Sequence, residues 1–194
     1  MPDSFITQTL YFNAPGPKNT EVLLEHAAKR AKELGLKKMV IATNTGRTMQ
    51  GAMVHFDPQT VDLIAVTHVT GFMEPDQQQM PNEVRSELES KGVKILTAAH
   101  AFGGVGRGVR NKLGSFQVDE IMAFTLRTLG QGVKVGMEMS MMAADAGLVR
   151  SDEDVLTIAG TGKGADTAMV VRPANSHRCF DVKIREIIAK PWQP

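Results

Sequence analysis

Short runs of continuously apolar residues constrain the fold of this chain more than any other feature. Residues 39–42 and 63–66 are two such runs, residues 93–96 are predicted to form a third strand, and segments with helical periodicity separate them. An apolar run of four or five residues bounded by turn residues is typical of a strand buried on both faces, as in a parallel sheet. Strands that alternate with helices predict an α/β domain.

Two further apolar runs, 155–159 and 168–171, lie close together near the carboxyl end. The few residues between them are too short for a right-handed crossover, so the fifth predicted strand should run antiparallel to the fourth. We therefore predict a single α/β domain, residues 1–194, with a three-layer, doubly wound architecture. Its mostly parallel five-stranded sheet should have the order 3-2-1-4-5, with the last strand antiparallel.

Helical periodicity and turn residues place the remaining elements. Asn19 is predicted to cap a helix that ends at Gly35. Further helices are predicted over 47–56, 82–92, 118–129 and 133–146. Residues 99–115 are rich in glycine and basic side chains, and we predict a long mobile loop there. The tail after residue 180 has no clear pattern.

Composition narrows the classes of function. The net charge of +1 gives no broad electrostatic case for nucleic acid or a membrane surface. No apolar stretch approaches the ~20 residues of a membrane helix, and residues 1–13 do not resemble a signal peptide. Cys179 is the single cysteine, so no internal disulfide can form and a cysteine zinc site is not expected. We expect a cytoplasmic protein with a small-molecule partner, and homo-oligomer formation stays open.

The turn after the first predicted strand has the composition of an anion site. A helix N-terminus presents unpaired backbone N–H groups and a partial positive charge. Around it the turn supplies hydroxyl, amide and guanidinium donors and no carboxylate. These features predict a phosphate site, although a threonine-capped strand-to-helix turn explains the composition equally well. The residues are Thr43, Asn44, Thr45, Gly46, Arg47 and Thr48.

A second donor-rich loop follows the fourth predicted strand. It fits neither the dinucleotide fingerprint, because a strand follows it, nor a P-loop, because Lys163 precedes a glycine. Alone it is more typical of a glycine-rich hairpin. In the predicted order, however, strands one and four are neighbours, so both loops should meet at the switch point where doubly wound sheets bind ligands. The candidate residues are Gly160, Thr161, Gly162, Lys163, Gly164 and Thr167.

Other residues are candidates for a lid or for the crevice wall. Gly104, Arg107 and Arg110 in the glycine-rich segment could close over an anion, or belong to a solvated loop. His68 and His100 each follow a strand, and a structural role is the simpler interpretation.

Glu138 lies among four methionines, which are more typical of a core than of a cofactor pocket. A buried Glu138 would need a partner, and we identify none in the sequence.

These motifs resemble a known family. The turn 43–48 and the strand 63–67 resemble the C-terminal α/β domain of pyruvate kinases, and residues 160–171 are similar to its second effector loop. The stretches 142–147 and 164–168 are similar to the stand-alone archaeal and bacterial proteins named for this domain. The resemblance implies the fold of that domain.

The resemblance also implies ligands. In the kinases a related turn holds the phosphate of an allosteric sugar bisphosphate, whereas stand-alone members can hold flavin mononucleotide (FMN). The chain has no room for the kinase barrel of ~250 residues, so pyruvate kinase activity is not expected. The main hypothesis is an FMN-binding protein of unknown reaction. The alternatives are a regulatory module that senses a phosphorylated metabolite and a purely structural domain.

Overall fold

The computed structural model describes residues 4–193, which form a seven-stranded sheet flanked by helices. Six strands run parallel and β6 runs antiparallel to both of its neighbours, within the described residues. The sheet order is β1-β7-β6-β5-β2-β3-β4. The strands are β1 (Leu10–Phe12), β2 (Lys38–Ala42), β3 (Asp62–Val66), β4 (Lys94–Leu96), β5 (Val155–Ala159), β6 (Thr167–Arg172) and β7 (Lys183–Pro191).

Helices cover both faces of the sheet. One core joins α1, α2 and α3 to the side chains of Met39, Ile41 and Leu63. A second core joins α6 to Val40 and Ile64, which point to the opposite face. The three-layer α/β class is therefore confirmed. The helices are α1 (Thr20–Glu33), α2 (Arg47–Ala52), α3 (Asn82–Ser90), α4 (Val105–Leu113), α5 (Val118–Arg127) and α6 (Gln131–Asp145).

The predicted five strands keep their relative order and the antiparallel hairpin, but the predicted strand count is wrong. The sheet continues beyond β6 through β7 and β1. β7 contains charged residues among its apolar ones and is only partly buried, so it lacks a continuous apolar run of the kind that predicted β2 and β3. β1 is an edge strand of three residues, which is too short to carry a pattern.

Two local predictions are also wrong. The glycine-rich segment contains α4, which is held by an Arg110–Glu120 ion pair to α5 at 3.2 Å. Tertiary packing here overrides the low helix propensity of its glycines. Asn19 does precede α1, but its side chain donates to the Ala14 carbonyl (2.8 Å) instead of capping the helix.

None of the helices within residues 4–193 has the length and apolar character needed to cross a bilayer.

Candidate functional site

A cavity of about 670 Å³ opens at the carboxyl ends of β2, β3, β4 and β5. Because β2 and β5 are neighbours, both donor-rich loops meet there, as the predicted switch point requires. The predicted residues that line the cavity are Thr43, Asn44, Thr45, Arg47, Thr48, His68, His100, Gly160, Gly162, Lys163 and Gly164. The other predicted site residues do not line it: Gly46, Gly104, Arg107, Arg110, Thr161 and Thr167.

The turn between β2 and α2 leaves donors available at the cavity wall. Gly46 adopts φ +89°, and no side chain in residues 4–193 caps α2. The N–H groups of the first helical turn, which have no intrahelical acceptor, are therefore not satisfied by a cap. Thr43 is only 4% exposed, and its hydroxyl has no hydrogen-bond partner within residues 4–193. Of the three buried side-chain polar atoms in that state, only the Thr43 hydroxyl belongs to a residue that lines the cavity.

Two basic side chains at this end of the cavity have no carboxylate partner. Arg47 and Lys163 are exposed and form no ion pair with any residue in the range 4–193. Among the described residues, the single hydrogen bond of the Arg47 guanidinium is to the Thr45 hydroxyl, at 3.4 Å. Unpaired cations beside exposed N–H groups favour an anionic ligand.

The loop between β5 and β6 is held in place by Asp166. This carboxylate is fully buried and accepts hydrogen bonds from the N–H groups of Gly16 and Thr161 and from the Thr167 hydroxyl (3.2, 3.1 and 2.9 Å). Thr161 and Thr167 therefore contribute to loop structure. Gly164 has φ +71°, and a Cβ there would lie 2.6 Å from the Pro17 Cα, so only glycine fits this approach.

His68 belongs to a hydrogen-bond chain that ties the first turn to the loop after β3. The backbone N–H of His68 donates to Asn44 Oδ1 (2.9 Å). Of its ring nitrogens, Nε2 lies 3.2 Å from Asn44 Nδ2 and Nδ1 lies 2.6 Å from Gln79 Oε1. The Asn44 amide is thus engaged with His68. Burial lowers the pKa of His68, although the Gln79 contact acts in the opposite direction.

His100 lies next to His68, with ring centroids 5.4 Å apart. Its Nε2 accepts from the Val69 N–H at 3.4 Å. Burial lowers the pKa of His100 to about 4, and the nearby positive charges of Lys134 and Arg107 contribute to the same direction. Both imidazoles are therefore neutral at physiological pH.

The partner of Glu138 is Lys134, one helical turn earlier on α6. Both side chains are nearly fully buried, and Lys134 Nζ donates to Glu138 Oε2, while Glu138 Oε1 accepts from the Phe102 N–H at 2.9 Å. Burial lowers the pKa of Lys134, and Glu138 opposes that shift. We did not identify this pair in the sequence, although its spacing of four residues is visible there.

The methionines of α6 serve two purposes. Met139 and Met142 belong to the second core, as predicted, and they also line the cavity together with Val135. Four further lining residues were not predicted, because they come from loops and helix ends without periodic signals: Thr20, Met73, Gln79 and Gln131.

The predicted lid residues on α4 lie outside the cavity lining. Arg110 pairs with Glu120 and lies over the Phe116 ring, 5.5 Å from its centroid. Arg107 lies 5.3 Å from the centroid of Phe72, whose ring packs against both cavity histidines. Arg107 therefore approaches the cavity through Phe72.

The depressed histidine pKa values make the fold sensitive to acid. Below pH 6.5 an unfolded histidine binds a proton, whereas folded His100 stays neutral down to about pH 4. The unfolded state then binds more protons, so the free energy of unfolding should fall as the pH drops from 6.5 to 4. Urea titrations at several pH values should show a shallower dependence in His100→Gln than in the wild type, and equal slopes would contradict the assignment.

Comparison with known proteins places this geometry in a family. The family model for the pyruvate kinase alpha/beta domain matches residues 21–171, well over half of the chain. A crystal structure of Cryptosporidium parvum pyruvate kinase is similar at 16% identity and a TM-score of 0.40, covering 80% of this chain and 22% of that one. The ADP complex of a pyruvate kinase from the same organism has 18% identity and a TM-score of 0.43, covering 83% and 25%. This chain thus spans at most a quarter of the length of these kinases. Because the family model matches residues 21–171, the chain belongs to the pyruvate kinase alpha/beta domain family.

Proposed function

We propose that this protein binds a phosphate monoester in the cavity between β2 and β5, and that the ester is FMN. The observation that carries the proposal is the Thr43 hydroxyl, which is buried without a partner among the described residues. Buried polar groups in folded proteins almost always have a hydrogen-bond partner. Thr43 lines the cavity, and a ligand phosphate oxygen that displaced the turn slightly would provide the partner.

The charge distribution supports an anionic group at this position. Arg47 and Lys163 approach from the loops after two neighbouring strands. The single carboxylate among the lining residues within 4–193, Glu138, is neutralised by Lys134. Nothing in the lining would therefore oppose a phosphate group, and charge-assisted hydrogen bonds would hold it.

The remainder of the cavity supports a large ring attached to the phosphate. Its volume of about 670 Å³ lies within the range of small-molecule sites. Val135, Met139 and Met142 provide an apolar wall on α6, and His68 and His100 provide a polar end. Bound flavin would supply hydride and single-electron transfer chemistry, while the residues of this chain would bind and orient it.

Calorimetric titration of the flavin-free protein with FMN tests the proposal. Thr43→Val should weaken FMN binding roughly tenfold through loss of one hydrogen bond to a charged group. Because the hydroxyl has no partner in the free protein, the same change should not reduce the free energy of unfolding. Thr157→Val is the matched control, since Thr157 is equally buried in β5 but does not line the cavity. Absence of FMN binding by the wild type would overturn the proposal.

A thermal-shift screen separates the alternatives, because stabilisation grows with the ratio of ligand concentration to Kd. Stabilisation by sugar phosphates without any response to FMN would indicate a regulatory module. No response to either ligand class would leave a structural role.

A further inference from the structure

The cavity has two chemically different ends. The loops after β5 and β2 carry the unpaired cations Lys163 and Arg47, whereas the segments after β3 and β4 carry His68 and His100. Adjacent strands are about 4.8 Å apart, so the distance across these four strands is about 14 Å. A ligand held by its phosphate at the first end would therefore present its other end to the histidines.

The hydrogen-bond network assigns the proton positions of His68. Because a backbone N–H can only donate, its bond to Asn44 fixes the amide orientation and directs Nδ2 toward the His68 ring. His68 Nε2 then accepts from Asn44, and Nδ1 carries the proton that is donated to the Gln79 carbonyl oxygen. Both ring nitrogens of His68 are therefore engaged within the protein.

The same logic leaves a free donor on His100. Its Nε2 accepts from the Val69 N–H, so the ring proton is on Nδ1. Within residues 4–193 this Nδ1–H has no acceptor, and it is not among the fully buried polar atoms without a partner. Since His100 lines the cavity, the free N–H is available to a ligand.

At this end, the lining formed by residues 4–193 carries no unpaired charge. The charged and titratable groups that act on His100 are Glu138 and Lys134 on α6, Arg107 on α4, and His68. Glu138 and Lys134 neutralise each other, and Arg107 does not line the cavity. A second phosphate at this end would therefore find no free cation on the part of the lining that residues 4–193 form.

We propose that His100 donates its Nδ1–H to a carbonyl oxygen on an uncharged planar ring of the ligand. This end of the cavity then binds a neutral heterocycle in preference to a second phosphate. This inference rests on the proposed phosphate site at the other end. It makes His100 a specificity-determining residue, and it makes fructose 1,6-bisphosphate a poor ligand compared with FMN.

The test compares His100→Phe, which keeps a ring but removes the donor, with His100→Gln, whose amide can still donate. We expect His100→Phe to weaken FMN and riboflavin binding about fivefold, the effect of one neutral hydrogen bond. Inorganic phosphate should bind unchanged, and His100→Gln should recover part of the flavin affinity. Urea unfolding midpoints confirm that each variant is folded.

The outcomes separate this inference from the phosphate proposal. Equal loss of phosphate and FMN binding in His100→Phe, or tighter binding of fructose 1,6-bisphosphate than of fructose 6-phosphate by the wild type, would overturn the role of His100. Riboflavin binding that depends on His100, without any binding of inorganic phosphate, would support His100 and overturn the phosphate site.

Discussion

Replacing Glu138 with alanine is expected to lower the free energy of unfolding by about 3–5 kcal/mol, because the change leaves the buried ammonium of Lys134 without its counter-charge. Both side chains are about 95% buried and Lys134 does not line the cavity, so its ammonium gains little hydration in exchange for the lost carboxylate. The Phe102 N–H loses its acceptor in the same variant. Urea denaturation of the wild type and Glu138→Ala measures the difference.

Two controls isolate the buried charge. The double variant Lys134→Met/Glu138→Met removes both charges and should be less destabilised than Glu138→Ala. Glu87→Ala breaks a pair with Lys91 at the same four-residue spacing on the exposed face of α3, and should cost far less than Glu138→Ala because solvent screens that pair. If Glu138→Ala and Glu87→Ala were equally stable, the Lys134–Glu138 pair would not be a buried structural element.

The second large effect is expected in ligand binding. Arg47→Ala should weaken binding of FMN and of inorganic phosphate by about 10- to 100-fold, the contribution of a hydrogen bond between charged groups. Arg47 is exposed and forms no ion pair with the residues in the range 4–193, so the free energy of unfolding should hardly change. Calorimetry at low and high salt measures both the loss and its electrostatic origin.

Arg47→Lys keeps the charge but loses the planar fork of donors, so its affinity should lie between those of the wild type and Arg47→Ala. Arg150→Ala is the matched control, because Arg150 is exposed, pairs with Asp152 and lies outside this cavity. Equal affinities of Arg47→Ala and Arg150→Ala would mean that the phosphate is held elsewhere.

The fold could be predicted where burial leaves a continuous pattern. β2, β3 and β5 are buried on both faces, so their apolar runs identify parallel strands and, with the hairpin, the switch point. In β7, lysine, arginine and glutamate interrupt the apolar residues, and its pairing with β6 is visible only in the structure. α4 depends on contacts with α5, and its glycines give no sequence signal for a helix.

The site was predictable where loop chemistry is local. Glycine, threonine and basic residues after β2 and β5 identified both loops of the cavity. The structure adds that Asn44 holds His68, that Gln79 accepts the hydrogen bond from His68 Nδ1–H, and that Lys134 pairs with Glu138. The Gln79 contact depends on the path of an irregular loop, which no periodicity encodes. The Lys134 contact was accessible from its spacing and was overlooked.

The reversed direction of β6 has a consequence for how fast a ligand is bound and released. Because β5 and β6 form a hairpin, both ends of the loop that carries Lys163 are anchored in adjacent strands. Thr20 accepts from the Ala165 N–H (2.9 Å), so α1 holds the loop as well. Such a receptor is organised before encounter and loses little conformational entropy on association. Differences in affinity among the uncharged variants Thr43→Val and His100→Phe should therefore appear in the dissociation rate, with association rates nearly constant.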